Sequence, residues 1–172
     1  MITLTHKEMK KIYSIAALLF MALNIQAQLG TIKGKVVSVA DGDTFTLLTD
    51  GNKQQKIRLH GIDCPEKKQD FGQVAKNFTS NMIFGKTINV KPTDIDRYGR
   101  TIAIVLLPDQ MSLNELLLKN GLAWHYLQYD KNPNWNNLER SARKNKLGLW
   151  QHSAPVAPWN FRRNKQNVYR IR

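Results

Sequence analysis

Apolar positions along this chain repeat with two different periods. Some stretches alternate every second residue and are rich in β-branched side chains, which predicts strands, because successive side chains of a strand point to opposite faces. The segments of this kind, each bounded by polar turn residues, are 31–39, 44–48, 54–62, 87–90 and 101–107. Short turns join the first three, so we predict that they form an antiparallel meander.

Other stretches repeat every third or fourth residue and are predicted to be helices. Residues 71–84 show this spacing, and Gly85 follows as a stop signal. Ser112 with Glu115 three residues later has the form of a capping box at the start of a second helix. A third helix is predicted from about 136 to 146. Five strands with interleaved helices predict an α+β fold, a small β-barrel with about three helices packed on it.

The first 27 residues have the features of a secretory signal peptide. Lysines precede an apolar run at 12–25, and Ala27 is a small residue at a suitable cleavage position. The run is shorter than the roughly 20 residues that a membrane span needs. We expect cleavage near Ala27, export to the periplasm or the medium, and no stable membrane association afterwards. An uncleaved anchor is the alternative, and Met9 is an alternative initiator.

Net charge narrows the choice of partner. The chain has 26 Lys and Arg against 13 Asp and Glu, a formal net charge of +13. Such an excess favours a polyanion, which could be nucleic acid, an anionic membrane surface or an acidic polymer. Cys64 is the single cysteine, so no intramolecular disulfide can form. The four histidines are scattered and no CxxC or HExxH pattern occurs, so no zinc site is expected.

Candidate chemistry is concentrated in the stretch 56–66, which reads K-I-R-L-H-G-I-D-C-P-E. The guanidinium fork of Arg58 suits a phosphate. The carboxylates of Asp63 and Glu66 suit a hard cation and a general base. Positions 58 and 63 differ by an odd number, so a flat strand would point them to opposite faces. We therefore expect either a bulge or twist near Gly61, or a strand that ends before Asp63.

Two further motifs flank this stretch, D-G-D-T at 41–44 and D-R-Y-G-R at 96–100. Neither is an EF-hand loop, because Phe45 stands at the fifth position of the first and Val105 at the twelfth of the second, where oxygen ligands are required. Each motif alone is an ordinary turn. Their combination is what points to a function.

D-G-D-T, R-L-x-G-I-D-x-P-E and D-R-Y-G-R, in this order and spacing, resemble the staphylococcal nuclease (thermonuclease) family. The segments G-L-A-W at 121–124 and G-L-W at 148–150 fit as well, so the resemblance runs from 31 to 159. It implies an OB-fold barrel of five strands with three helices. We accordingly divide the chain into a signal peptide, a nuclease-like domain at 28–160 and a basic tail at 161–172.

The resemblance also implies an activity and a set of site residues. The family hydrolyses DNA and RNA phosphodiester bonds with calcium and leaves 3′-phosphate and 5′-hydroxyl ends. By matching position, the calcium ligands are the side chains of Asp43 and Asp63 and the backbone carbonyl of Cys64. The catalytic residues implied in the same way are the general base Glu66 and the phosphate-binding Arg58 and Arg100.

Three departures from the family pattern affect these expectations. Cys64 replaces a threonine, which a backbone ligand tolerates. The connection between Glu66 and the first helix is short and lacks a lysine-bearing loop, so substrate contacts from that loop are not expected. Leu127 stands where one nucleotide-side tyrosine would be. Base stacking is therefore expected to shift to Tyr126 or to weaken. The substrate-binding residues that we predict are Tyr98, Tyr126 and Tyr129.

Two other functions compete with a nuclease. One is a catalytically silent OB-fold module that only binds nucleic acid, and the other is a basic surface-adhesion protein. Neither needs an intact set of carboxylates and arginines. Three carboxylates in one cleft would repel, by about 4 kcal/mol for two charges 4 Å apart at an effective dielectric near 20. A bound divalent cation removes that cost, so the intact set favours a calcium-dependent nuclease. We expect the protein to be a monomer.

Overall fold

Five strands close into a barrel in the computed structural model of this chain, which describes residues 30–108 and 111–170 and side chains as far as Asn164. The strands described are, in chain order, β1 (Ile32–Val39), β2 (Thr44–Thr49), β3 (Lys53–Leu59), β4 (Ile62–Asp63), β5 (Thr87–Ile95), β6 (Thr101–Leu106) and β7 (Trp124–His125). The order around the barrel is β1-β2-β3-β6-β5, and β4 pairs with β7 in a separate two-stranded sheet. The predicted five-stranded barrel is confirmed.

Strand pairing explains how the barrel closes. β1, β2 and β3 form the predicted antiparallel meander. β1 also pairs antiparallel with β5, and β3 pairs in parallel with β6. Alternate apolar side chains of these strands fill the interior, where the fully buried ones include Val36, Phe45, Leu47, Ile57, Val90 and Val105.

Helices cover the barrel at the positions where the sequence changes its period. The helices described are α1 (Gly72–Ile83), α2 (Leu113–Lys119), α3 (Pro133–Lys144) and α4 (Pro158–Arg170). Ser112 caps α2 as predicted, since its hydroxyl accepts a hydrogen bond from the Glu115 N–H. The Glu115 carboxylate accepts a hydrogen bond from the Trp135 indole at 2.9 Å, which joins α2 to α3.

The sequence did not predict α4. The segment is rich in Arg, Asn, Lys and Gln, and its few aromatic side chains give only a weak apolar face. Tertiary contacts supply what the local pattern lacks. Trp159 stacks on Tyr126 with ring centroids 4.6 Å apart and meets Trp124 edge-on at 5.6 Å. The helix is thus anchored by aromatic packing at its first turn.

Residues 1–27 lie outside the residues that the structure describes, so cleavage near Ala27 and export stay predictions. The same holds for the boundaries that we assign to the domain and the basic tail. Within the described ranges, no helix has the length and apolar character needed to cross a membrane.

The turn between β3 and β4 decides where Asp63 points. β3 ends at Leu59, and Gly61 has a left-handed backbone with φ of 65°. The bulges lie elsewhere in the barrel, in β1 and β5. The predicted third strand, 54–62, is therefore too long, because the Gly61 turn ends β3 at Leu59. Asp63 lies past the end of this strand, which is the second of the two expected solutions. Asp63 then lies opposite Trp124 in the β4–β7 pair.

Asp130 fixes this turn from outside. Its carboxylate lies 3.3 Å from His60 Nε2 and 2.8 Å from His125 Nε2, and it accepts a hydrogen bond from the Asn132 N–H. Burial acts to raise the pKa of Asp130, but the hydrogen bonds from Asn132 and the histidines outweigh it, and the pKa lies below its usual value. A Cβ on Gly61 would lie 2.6 Å from the Asp130 Cβ. The turn therefore requires glycine for both its dihedral angle and its close packing.

We predict that Gly61→Ala destabilises the protein more than a glycine change that alters the dihedral preference alone. Gly51 has φ of 73° with open space around it, so Gly51→Ala is the matched control. In the control, the free energy of unfolding should fall by about 1–2 kcal/mol, because alanine is disfavoured in the left-handed conformation. For Gly61→Ala, the free energy of unfolding should fall by about 1–3 kcal/mol more, because the added methyl group overpacks the turn. Urea unfolding measures both, and equal losses would contradict the packing argument.

Candidate functional site

Neighbouring strands bring the candidate residues together at one end of the barrel. Thr44 at the start of β2 lies opposite Arg58 of β3, so Asp43 precedes the strand beside that arginine. β4 then delivers Asp63, and the chain continues through Cys64 to Glu66 in the connection to α1. Arg58 thus contacts carboxylates 15 positions before it and 5 positions after it, because β2 and β3 form a hairpin and the Gly61 turn redirects the chain.

Arg58 is the cation between two buried carboxylates. Its Nη1 donates to Asp43 Oδ1, and its Nη2 donates to Asp63 Oδ1 at 2.5 Å. The side chains of Asp43 and Asp63 are 1% and 0% exposed, and that of Arg58 is 16% exposed. Burial acts to lower the pKa of Arg58, but the two carboxylate charges outweigh it and raise the pKa above its usual value. The arginine stays charged.

Asp43 accepts two further hydrogen bonds. The Cys64 N–H donates to Oδ2 at 2.6 Å, and the Thr44 hydroxyl donates to Oδ1 at 3.1 Å. Burial nevertheless raises the pKa of Asp43 well above its usual value, and the nearby charges of Asp41 and Asp63 add to that shift while Arg58 opposes it. The ionised form of Asp43 is therefore costly in this site, and a further cation would reduce that cost.

Gly42 of the D-G-D-T turn and the side chain of Cys64 are closely packed against each other. A Cβ on Gly42 would lie 2.8 Å from atoms of both Cys64 and Ala75, so only glycine fits there. The Gly42 carbonyl accepts a hydrogen bond from the Thr79 hydroxyl of α1 at 2.6 Å. Burial raises the pKa of the Cys64 thiol well above its usual value, which keeps the thiol neutral. The side chain is therefore a packed group, consistent with a role for the backbone alone.

Arg162 of α4 is a member of the cluster that the sequence analysis missed. Its Nη1 donates to Glu66 Oε1 at 2.7 Å and to Asp63 Oδ1 at 3.2 Å, and its Nη2 donates to Asp63 Oδ2 at 2.7 Å. Burial acts to lower the pKa of Arg162, but the hydrogen bonds and charges of Asp63 and Glu66 raise it. No motif marks this residue. The one signal was the tryptophan three positions earlier, which anchors the helix.

Arg100 has a different partner. Its Nε donates to Asp96 Oδ2 at 2.7 Å, and the Asp96 carboxylate also accepts hydrogen bonds from the N–H groups of Tyr98 and Arg100. These bonds lower the pKa of Asp96 although burial acts to raise it. β6 runs parallel to β3, and Ile102 lies opposite Arg58. Arg100 therefore lies two residues before the position opposite Arg58. The described ion pair of Arg100 is thus within its own loop.

The predicted substrate-binding tyrosines do not form one cluster. Tyr98 and Tyr129 are 69% and 64% exposed. Tyr126 contacts Tyr129 edge-on at 4.8 Å and is stacked on Trp159 on one side. Tyr98 belongs to the Arg100 loop, where the guanidinium of Arg97 lies 4.9 Å from its ring centroid. Tyr126 and Tyr129 thus share one aromatic surface with α4, and Tyr98 lies on a separate loop.

The donor atoms of the cluster are of the kind that calcium binds. Asp43, Asp63 and Glu66 offer carboxylate oxygens, and hard divalent cations prefer oxygen ligands. Across residues 30–108 and 111–170, however, no three His, Cys, Asp or Glu side chains converge on a point that could hold a metal ion. Arg58 bridges Asp43 and Asp63, and Arg162 bridges Asp63 and Glu66. The chemistry of the site fits a cation, and guanidinium groups supply the positive charge in the structure.

This chain is similar to proteins described as nucleases. A family profile described as "Staphylococcal nuclease homologue" matches residues 56–152. An "Uncharacterized endonuclease" of Escherichia coli is 42% identical over 134 residues, which cover 78% of this chain and 87% of that protein. A protein of the same description from Haemophilus influenzae is 39% identical over 132 residues, covering 77% and 74%. A "Probable staphylococcal-like nuclease" of Oryza sativa subsp. japonica is 41% identical over 115 residues, covering 67% and 34%.

We predict that Arg58→Gln destabilises the protein strongly in the presence of chelator. The change leaves Asp43 and Asp63 buried without their shared cation, and removing one partner of a buried pair costs about 3–5 kcal/mol. The loss should shrink as the pH falls, because burial raises the pKa of Asp43 and protonation of this carboxyl removes a charge that is costly to bury. Arg100→Gln is the control, and its more exposed ion pair should be worth at most about 1 kcal/mol. Urea unfolding at neutral and acidic pH measures both. A similar loss in the two variants would contradict the bridging role of Arg58.

Proposed function

This chain belongs to the staphylococcal nuclease family, and from that premise we propose that it is a calcium-dependent nuclease that hydrolyses DNA and RNA and leaves 3′-phosphate and 5′-hydroxyl ends. The observation that carries the proposal is the meeting of Asp43, Arg58, Asp63 and Glu66 in one hydrogen-bonded cluster. These four residues come from two separate motifs, and Arg162 links Glu66 to the other three. The similarity to proteins described as endonucleases supports the same activity.

Glu66 is suited to act as the general base. Its side chain is 37% exposed, whereas those of Asp43 and Asp63 are almost fully buried, so water can reach this carboxylate alone. Glu66 would accept a proton from the attacking water as the water oxygen bonds to phosphorus. The bond from phosphorus to the 5′ oxygen breaks, and that oxygen takes up a proton to become the 5′-hydroxyl.

Asp43 and Asp63, with the Cys64 carbonyl, are the residues that we propose hold calcium. Bound there, calcium would stabilise the charge that develops on the phosphate. Arg58 and Arg162 donate to the same carboxylate oxygens, so cation binding requires these arginines to share or release hydrogen bonds. Release of Arg58 would free its fork for a phosphate.

Arg58 and Arg100 are the residues that we propose stabilise the transition state. Both present planar guanidinium donors, and Arg100 lies two residues along the β3–β6 register from the position opposite Arg58. Donors aimed at developing charge lower the barrier more than they strengthen ground-state binding. Tyr126 and Tyr129, with Tyr98 on its separate loop, are proposed to contact bases. The net charge of +13 would attract the polyanionic substrate.

We predict that chelation abolishes cleavage and spares much of the DNA binding. Surface lysines and arginines bind phosphates without calcium. Plasmid cleavage and gel-shift assays, run with calcium or with excess chelator, measure the two properties separately. Binding without cleavage in any divalent cation would indicate the silent OB-fold module instead, and full activity in chelator would contradict the role of calcium.

We further predict that Arg100→Lys lowers turnover by about 10²–10³-fold, the usual cost of losing one preorganised donor. Lysine keeps the charge but not the fork. Steady-state kinetics on a short oligonucleotide separate turnover from the Michaelis constant. Lys144→Ala, a change on the exposed end of α3, is the control and should weaken binding only modestly. If Arg100→Lys raised the Michaelis constant at parental turnover, Arg100 would be a binding residue without a role in the chemical step.

A further inference from the structure

The segment 156–162 is connected to both the backbone and the side chain of Glu66. The connection to the backbone runs through Gln69. Gln69, in the short connection to α1, accepts a hydrogen bond from the Glu66 N–H at 3.1 Å through Oε1. The Nε2 of the same side chain donates to the Val156 carbonyl. Gln69 therefore links the backbone of Glu66 to the chain just before α4.

Arg162 holds the side chain of Glu66. Its Nη1 donates to Glu66 Oε1 at 2.7 Å and also reaches Asp63 Oδ1 at 3.2 Å, so one nitrogen joins the two carboxylates. Its Nη2 donates to Asp63 Oδ2 at 2.7 Å. Asp63 is fully buried and cannot move freely, whereas Glu66 is more than a third exposed. Arg162 thus holds the partly exposed side chain of Glu66 against the buried side chain of Asp63.

Packing fixes the position from which Arg162 reaches the site. Trp159, three residues earlier on α4, is stacked on Tyr126 and meets Trp124 edge-on. Ala157 and Pro158 are buried, and the Ala157 carbonyl accepts hydrogen bonds from the N–H groups of Asn160 and Phe161, both at 3.0 Å. The Arg162 guanidinium is therefore carried on a helix turn whose position is fixed by packing.

We propose that Arg162 is a positioning residue for the reaction, which holds the carboxylate of Glu66 beside Asp63 in the orientation that the general base requires. This proposal rests on the function proposed above, because it assigns Arg162 a role through Glu66. The guanidinium removes the repulsion that would otherwise turn the Glu66 side chain away from Asp63 into solvent. One Glu66 oxygen is tied by Arg162, and the exposure of the side chain leaves the carboxylate accessible to water.

Two other roles for Arg162 lead to different results. An arginine that blocks the cation site would compete with calcium, and its removal would raise activity. An arginine that binds substrate phosphate would affect the Michaelis constant and leave turnover unchanged. A positioning residue affects turnover, because a base displaced by about 1 Å can lose on the order of 10²-fold in rate.

The test compares Arg162→Ala and Arg162→Lys with Arg163→Ala in the full chain. Arg163 is the matched control, since it is exposed and its guanidinium donates to Asn160. With saturating calcium, Arg162→Ala should lower turnover by about 10–100-fold with the Michaelis constant nearly unchanged. Arg162→Lys should recover part of the rate through its charge, and Arg163→Ala should keep the parental rate. If circular dichroism shows that Arg162→Ala does not fold, Arg162→Gln replaces it.

A second comparison tests whether Arg162 acts through Glu66. In the Glu66→Gln background, Arg162→Ala should cause no further loss of turnover, because residues that act as a unit are not additive. Calorimetric titration with calcium alone should give a dissociation constant for Arg162→Ala that is equal to or lower than the parental one, since a positive charge beside Asp63 is removed.

Four results would overturn the proposal. They are parental or higher turnover in Arg162→Ala, a loss confined to the Michaelis constant, a loss of equal size in the Glu66→Gln background, and a weakened calcium affinity that accounts for the lost rate. An inactive parental enzyme would instead refute the nuclease function and the role of Arg162 with it. The parental measurement therefore separates failure of the function from failure of this residue's role alone.

Discussion

Two carboxylates buried side by side are the constraint on which this site depends. Asp43 and Asp63 are almost inaccessible to solvent, and each ionised group would be costly to bury alone. Arg58 makes the arrangement possible by donating to both. The position of Arg58 follows from the β2–β3 hairpin, in which Thr44 lies opposite it. The strand pairing that forms the barrel therefore also places Arg58 beside Asp43.

The calcium that we propose for this site would compete with the guanidinium groups of the cluster. These guanidinium groups neutralise the carboxylates in the structure described here, and they donate to the oxygens that a divalent cation would need. Exchange between these partners would release a guanidinium fork close to the position where a phosphate would bind. The electrostatic demand that holds the fold together would then also prepare the site for its substrate.

The two-stranded sheet of β4 and β7 positions several parts of the site although each strand has only two residues. It directs Asp63 into the cluster, and the left-handed Gly61 turn and the hydrogen bonds of Asp130 hold it in place. The residue after β7 is Tyr126, on which Trp159 stacks to anchor α4. One short element thus connects the carboxylate site, the aromatic surface and the helix that carries Arg162.

The sequence alone determined the five barrel strands, three of the helices and the Ser112 cap, because these depend on local periodicity and capping. Its resemblance to a known family implied the grouping of Asp43, Arg58, Asp63 and Glu66. The sequence left two solutions for Asp63, since pleat counting cannot tell where a strand ends. Tertiary structure decided that point through the pairing of β4 with β7. It also decided the fourth helix and Arg162. Residues 63 and 162 meet only because aromatic packing of Trp159 supplies the stability that the polar α4 lacks by itself, and no local pattern encodes a contact across 99 positions.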